Sequence, residues 1–468
     1  MAENNKNHRD LKREISLASA TILVIANMIG TGIFTTSGLI MEALRNPQAM
    51  LLCWFLGGVL ALSGALCYGE LGSMFPKAGG EYVFLRESFG KFMGFLSGWI
   101  SLIVGFSAPI AAASIAFASY FFCTLPKSSG EISHVVFFET EIFAVSSLTI
   151  LACGIIITFS LVHSYSVYFG SRVQNVLTTF KVAIILAFVF SAFLFGKGSI
   201  DHFSPGLDFG LIFSGEFATS LIFISFAYSG WNAAAYLGGE IKDATRNIPL
   251  ALFWGTLIVM ILYIFLNSVF IYALPPQQMV GVIDIGAKSA FAMLGGNVGN
   301  IFSIAITVCL LSVISAMIMA GPRVYYAMAK DGMFFRRFAR VTKAHQTPAP
   351  SILLQAAIAI FMVMTSSFEK LLIYIGFTLS VFAVLTVGGM MLLRIKQPHA
   401  RRVYRTFGYP ITPLLFILSN LWIIVFSIKE NPTVSVYGAG TIIAGALVYC
   451  YFNWTNRGRE SLDNEWPA

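Results

Sequence analysis

Long apolar runs alternate with short polar connectors from Ile15 almost to the end of the chain. A run of about 20 apolar residues is what an α-helix needs to cross a bilayer. Twelve can be marked, at 15–42, 48–75, 91–122, 142–162, 172–195, 209–239, 249–274, 290–329, 351–367, 370–393, 409–428 and 433–452. The ninth is short, and the third and eighth are long enough to tilt or protrude. The pattern predicts an all-α integral membrane protein with twelve transmembrane helices, flanked by polar tails at 1–14 and 453–468.

Composition supports this class. The 468 residues are 57% hydrophobic and 11% charged, with a mean hydropathy of +0.78. Soluble domains carry roughly 25% charged residues. The net charge of +8 resides in connectors and not in a patch, so it argues topology and not nucleic acid. With the N-terminus inside, 23 of the 30 Lys and Arg residues fall on the inner side and 6 on the outer. That bias follows the positive-inside rule across all twelve runs and places both tails in the cytoplasm. The polar opening MAENNKNHRDLKRE does not resemble a cleavable signal peptide, so the first run is retained. Cys53, Cys67, Cys123, Cys153, Cys309 and Cys450 lack metal or disulfide spacing and read as small apolar filler. The histidines lie in loops, tails or span ends, with no carboxylate cluster at mid-depth. No metal, cofactor or enzyme chemistry is expected.

Two runs are interrupted halfway, the first by Gly30-Thr31-Gly32 and the sixth by Tyr228-Ser229-Gly230. Lipid offers no hydrogen-bond partners, so a broken helix survives only where its bare backbone lines a cavity. Glycines also serve close helix packing, but two breaks far apart in the chain point to a transporter substrate site. The half-helix after the first break presents N–H groups and the positive dipole end. The amides of Thr31, Gly32 and Ile33, with the Thr31 hydroxyl, suit a carboxylate. The carbonyls of Phe226, Ala227 and Ser229, with those of Met28 and Ile29, suit an ammonium. The guest so described is an α-amino acid.

The same segments resemble the amino acid–polyamine–organocation superfamily, in its L-type amino acid transporter branch. GTGIF (30–34) looks like the helix 1 signature, and FAYSGWN (226–232) with GGEIKDATRNIPLA (238–251) like the helix 6 signature. GELGSMFPKAGGEYVFLRESFG (69–90) and GPRVYYAMAKDGMF (321–334) are similar to the connector after helix 2 and to the end of helix 8. The resemblance covers nearly the whole chain. It implies a LeuT-type fold of two inverted five-helix repeats (15–195 and 209–393), with two extra helices at 409–452. It implies that Phe226 gates the substrate from outside and that Asn232 ties helix 6 to its neighbours or to the substrate. Animal members join a glycoprotein partner through a cysteine between helices 3 and 4. That loop has none here, so no disulfide-linked partner is expected.

Lys181 lies inside the fifth run, where an ionisable residue is functional by default. In sodium-independent relatives the matching lysine replaces a sodium ion and bonds the helix 1 backbone, which makes sodium coupling unexpected here. Asp and Glu are absent from the middle of helices 1, 3, 6, 8 and 10, which favours neutral amino acids. Gly105, Phe106, Ala108, Ala112 and Met317 are candidate pocket walls, and Glu70, Arg86, Glu240, Asp243, Arg246, Arg323 and Asp331 candidate inner-gate residues. The expectation is sodium-independent exchange or facilitated transport of neutral L-amino acids across the plasma membrane by alternating access. Two alternatives remain, a proton-coupled symporter of the same fold and a non-transporting amino acid sensor.

Overall fold

The structure is a computed structural model that describes residue 13 and residues 15–77, 79–123, 133–137, 140–165, 167–342 and 347–465. Helix α1 (Leu17–Met28) is followed after three residues by α2 (Gly32–Leu44), and the two are bent by 40°. Helix α3 (Pro47–Met74) precedes a short connector helix, α4 (Glu81–Phe89). Helix α5 (Lys91–Ile100) runs through a π-helical stretch at Ser101–Ser107 into α6 (Ala108–Cys123). Next come a hairpin, β1 (Ser133–Phe137) with β2 (Thr140–Val145), and helices α7 (Ser147–Tyr165) and α8 (Val167–Phe195). The sixth run contains α9 (Gly215–Ala227) and a single turn, α10 (Ala233–Tyr236). Then follow α11 (Ala244–Ala273), α12 (Pro276–Met279), α13 (Ile285–Leu294), α14 (Gly296–Ala320) and α15 (Pro322–Lys330). Helices α16 (Ala349–Thr365), α17 (Phe368–Lys396), α18 (Ile411–Glu430) and α19 (Pro432–Glu465) complete the chain.

Nine helices among the described residues are long and apolar enough to cross a membrane, and the bent pair α1–α2 makes ten. Helices α9 and α16 are apolar but shorter, at 13 and 17 residues. The surface suits lipid. Leu161 is 59% exposed, Phe190 63% and Leu447 67%, an exposure that in water would drive aggregation.

Two boundaries differ from the sequence reading. Residues 142–145, expected to open the fourth run, form the end of β2, because the β-branched and aromatic sequence around them pairs antiparallel with β1. The last helix continues beyond 452 into the expected tail, since polarity alone does not end a helix.

Helix α11 packs along α1 and α3, α2 lies on α9, and α14 packs against α6 and α8. Buried Glu70 on α3 ties this bundle to α17. Arg394 donates to both its oxygens, and the Thr406 amide and hydroxyl each reach Oε2 at 2.8 Å. Arg402 adds a second guanidinium at 3.4 Å. Removing one partner from such a buried cluster typically costs about 3–5 kcal/mol. Ahead of α1, the Ile15 amide donates to the Glu240 carbonyl (3.0 Å), and the Lys242 amide returns to the Ile15 carbonyl (2.9 Å). This bridge fastens the start of the first run to the stretch that follows the sixth.

Candidate functional site

Helix α1 stops because Ile29 leaves helical dihedrals, at φ −70° and ψ 84°. Its last carbonyls therefore lack their usual partners. The Ile29 amide takes Ile25 (3.0 Å). The Lys181 ammonium, on α8 and 1% exposed, donates to the carbonyls of Ala26 and Ile29 at 2.7 Å each. No carboxylate pairs with it among the described residues. The negative end of the α1 dipole supplies the compensation instead. The Tyr263 hydroxyl, on α11, lies 2.6 Å from the Met28 carbonyl and 3.1 Å from that of Ala227. One side chain thus joins the two breaks.

Helix α9 ends in a tight turn. The Tyr228 amide donates to Ile224 and the Ser229 amide to Phe226, and Gly230 adopts φ +95°, a conformation L side chains rarely take. A side chain there would also meet the Asn27 main chain. The two breaks touch at Gly32, where a Cβ would overlap Ala227.

These contacts change the expected ammonium cradle. Of its five carbonyls, Met28 and Ala227 face Tyr263, Ile29 faces Lys181, and Phe226 takes the Ser229 amide. Ser229 alone keeps a free carbonyl among the described residues. The amides of Thr31, Gly32 and Ile33 have no hydrogen-bond partner among the described residues, as an anion site requires.

A cavity of about 1320 Å³ runs from the breaks past Ser19 and Ile22 on α1 to Arg323, Lys330 and Asp331. Phe226, Ser229 and Asn232 line it, as do Gly105, Phe106 and Met317. Ala108 and Ala112 are fully buried and do not. Met28, Gly30, Thr31, Gly32 and Ala227 instead line a void of about 10 Å³ between the breaks, the size of one water. Ile29 and Ile33 border neither space. In this conformation the helix 1 side of the predicted cradle is closed against helix 6. On the far side, the Tyr120 hydroxyl of α6 donates to the Phe34 carbonyl and accepts from the Gly286 amide at 3.2 Å, which stitches α6, α2 and α13 together.

One carboxylate reaches the cavity wall unannounced by the helix pattern. Glu81 opens α4, a connector, yet its Oε1 accepts from the Tyr68 hydroxyl (2.7 Å) and from Asn232 Nδ2 (3.0 Å). Burial pushes its carboxyl above the usual range, and those two hydrogen bonds draw it part of the way back. Asn232 thus binds a neighbouring element, one of the two roles the resemblance implies for it. Of the seven candidate inner-gate residues, the structure pairs only Arg86 and Asp331 with each other, at 3.2 Å, with the Tyr82 hydroxyl on the same Asp331 oxygen. Glu70 belongs to the α3–α17 cluster. Tyr263, Glu81 and Tyr120 carried no spacing signal of their own, though the Gly79-Gly80 pair before Glu81 marks a close backbone approach. There the Gly79 amide meets the Tyr236 carbonyl at 3.1 Å.

A model of the amino acid permease family matches residues 15–450. The chain belongs to that family. The permease is 28% identical over 448 residues to "Large neutral amino acids transporter small subunit 2" of Rattus norvegicus, covering 94% of this chain and 80% of that protein. It is 30% identical over 417 residues to "Serine/threonine exchanger SteT" of Bacillus subtilis, covering 88% and 91%. It is 26% identical over 460 residues to "b(0,+)-type amino acid transporter 1" of Mus musculus, covering 96% and 90%. The permease is a multi-pass membrane transporter of the L-type branch of the superfamily, not an enzyme. Replacing Tyr263 with Phe removes the hydroxyl between its two breaks. At about 1 kcal/mol per lost hydrogen bond, the KM for amino acid uptake into proteoliposomes is expected to rise roughly fivefold to tenfold.

Proposed function

We propose that the permease moves neutral L-amino acids across the plasma membrane by exchange or facilitated transport, without sodium. The observation that carries this reading is the Lys181 ammonium seated on the carbonyls of Ala26 and Ile29. A fixed cation at the end of α1 leaves no electrostatic reason to recruit another there. The two interrupted spans, touching beside a cavity that continues to one end of the bundle, support alternating access on twelve spans arranged as five plus five plus two. The cargo carboxylate meets the amides of Thr31, Gly32 and Ile33 once α2 and α9 part. Its ammonium meets the Ser229 carbonyl and the second lone pairs of Met28, Ile29, Phe226 and Ala227. Phe226 closes the outer side. Basic residues concentrated on one side support cytoplasmic termini. The named relatives that carry neutral amino acids support the cargo class, and no covalent partner is required.

Counterflow of radiolabelled neutral amino acids in proteoliposomes tests this reading. Equal rates are expected when choline replaces sodium. A rate that collapses without sodium overturns sodium independence, and the lack of counterflow for every neutral amino acid overturns the cargo class.

A further inference from the structure

Glu81 has an unusual pair of contacts. Both its donors, the Tyr68 hydroxyl and the Asn232 amide, converge on Oε1. Among the described residues, Oε2 has no hydrogen-bond partner and no cation pairs with the carboxylate, which borders the cavity. A neutral carboxylic acid has this pattern, with a carbonyl oxygen that accepts and a hydroxyl oxygen that carries the proton. Protonation at Oε2 therefore breaks no contact that the protein makes. Two influences oppose each other here. Burial favours the neutral acid, whereas the first turn of α4 and the two donors favour the anion. A group balanced in this way changes state when its surroundings change slightly.

We propose that Glu81 is a proton-binding site in the cavity wall, and that the amino acid and the proton bind cooperatively. The proposal rests on the cavity being the cargo's path. Cargo entering it displaces water from the carboxylate, and lost solvation favours the neutral form. The proton comes from the buffered solvent through the cavity and forms the O–H bond on a lone pair of Oε2. By linkage, a proton already bound strengthens cargo binding by the same factor. A neutral Glu81 also fits the proposed preference for neutral amino acids, because an uncharged acid does not select cationic side chains.

The titratable groups facing Glu81 are Tyr68 from α3 and Tyr236 from α10. From α17, which packs on α4, Thr386 reaches Tyr68, while Arg394 is committed to Glu70. Farther along α4, Arg86 is committed to Asp331 and Glu87. Elsewhere on the cavity wall, Arg323 donates to the Met319 carbonyl and His163 contacts Ser315.

Calorimetric titration of the purified permease with neutral L-amino acids, in two buffers of different ionisation enthalpy, counts the protons taken up on binding. Between about pH 5.5 and 7 the amino acids themselves remain zwitterions. Wild type is expected to take up as much as about one proton per cargo, with affinity improving up to about tenfold per pH unit on acidification. Glu81→Gln keeps an acceptor for Tyr68 and Asn232 and mimics the neutral acid, so whatever its affinity it takes up none. Binding without proton uptake in wild type, or equal uptake in Glu81→Gln, overturns the proposal. Lack of proton uptake by wild type overturns it even if the variant fails to fold. Absence of binding by every neutral amino acid instead overturns the cargo reading on which it rests.

Discussion

Gly32→Ala is expected to cut amino acid uptake at least fivefold, while Gly30→Ala retains most of it. The added carbon at Gly32 falls on Ala227 Cα, 2.6 Å from its Cβ and 3.1 Å from its nitrogen. These are main-chain atoms and the root of a side chain, so no rotamer change relieves the overlap. Helices α2 and α9 must separate, and overpacking of this kind costs about 1–3 kcal/mol. If the closed contact is one stage of the transport cycle, that cost depletes it roughly 5-fold to 150-fold. At Gly30 the nearest atoms are the Met28 oxygen and Val313 Cγ1, both at 3.7 Å, an ordinary contact distance. Initial rates of uptake into proteoliposomes, normalised to folded protein by size-exclusion chromatography, check the pair. Equal rates for the two variants would mean that the contact of the breaks does not matter for transport.

The second large effect is expected at Lys181. Lys181→Met keeps an unbranched side chain, one atom shorter, but removes both donors to the carbonyls of Ala26 and Ile29. Each buried carbonyl left without a partner costs about 1–3 kcal/mol. Part of this returns because a buried charge is no longer desolvated. The net effect should fall on the geometry of the break more than on folding, lowering kcat/KM for uptake about 10-fold to 100-fold. Proteoliposome kinetics alongside a thermal melt separate the two consequences. A melting temperature that collapses together with uptake would make Lys181 a fold residue and not a positioning residue for the break.

Much of this molecule was legible in its hydrophobic pattern. Both breaks lie where glycines interrupt an apolar run, because glycine is what permits φ +95° at Gly230 and close approach at Gly32. The depth of Lys181 in its run marks it as functional, and only the family resemblance points it at the helix 1 backbone. Less could be read of who satisfies whom. Tyr263 sits in an ordinary apolar helix, and only the packing of α11 along α1 and α3 brings its hydroxyl between two carbonyls. Glu81 carries no signal of this kind, because it belongs to a connector and connectors are expected to face water. Its connector folds back against α10 instead, and the cavity gains a carboxylate that no count of residues within the apolar runs would include. The same limit hid how fully the cradle carbonyls are taken up by the protein's own donors.

The pairing of Ile15 with the main chain around Ile241 bears on how freely α1 can move. Two hydrogen bonds tether its leading end to the strip that leads into α11, so it cannot pivot as a free lever. Either those two bonds release before α1 moves, or α1 carries that strip with it as one hinged flap.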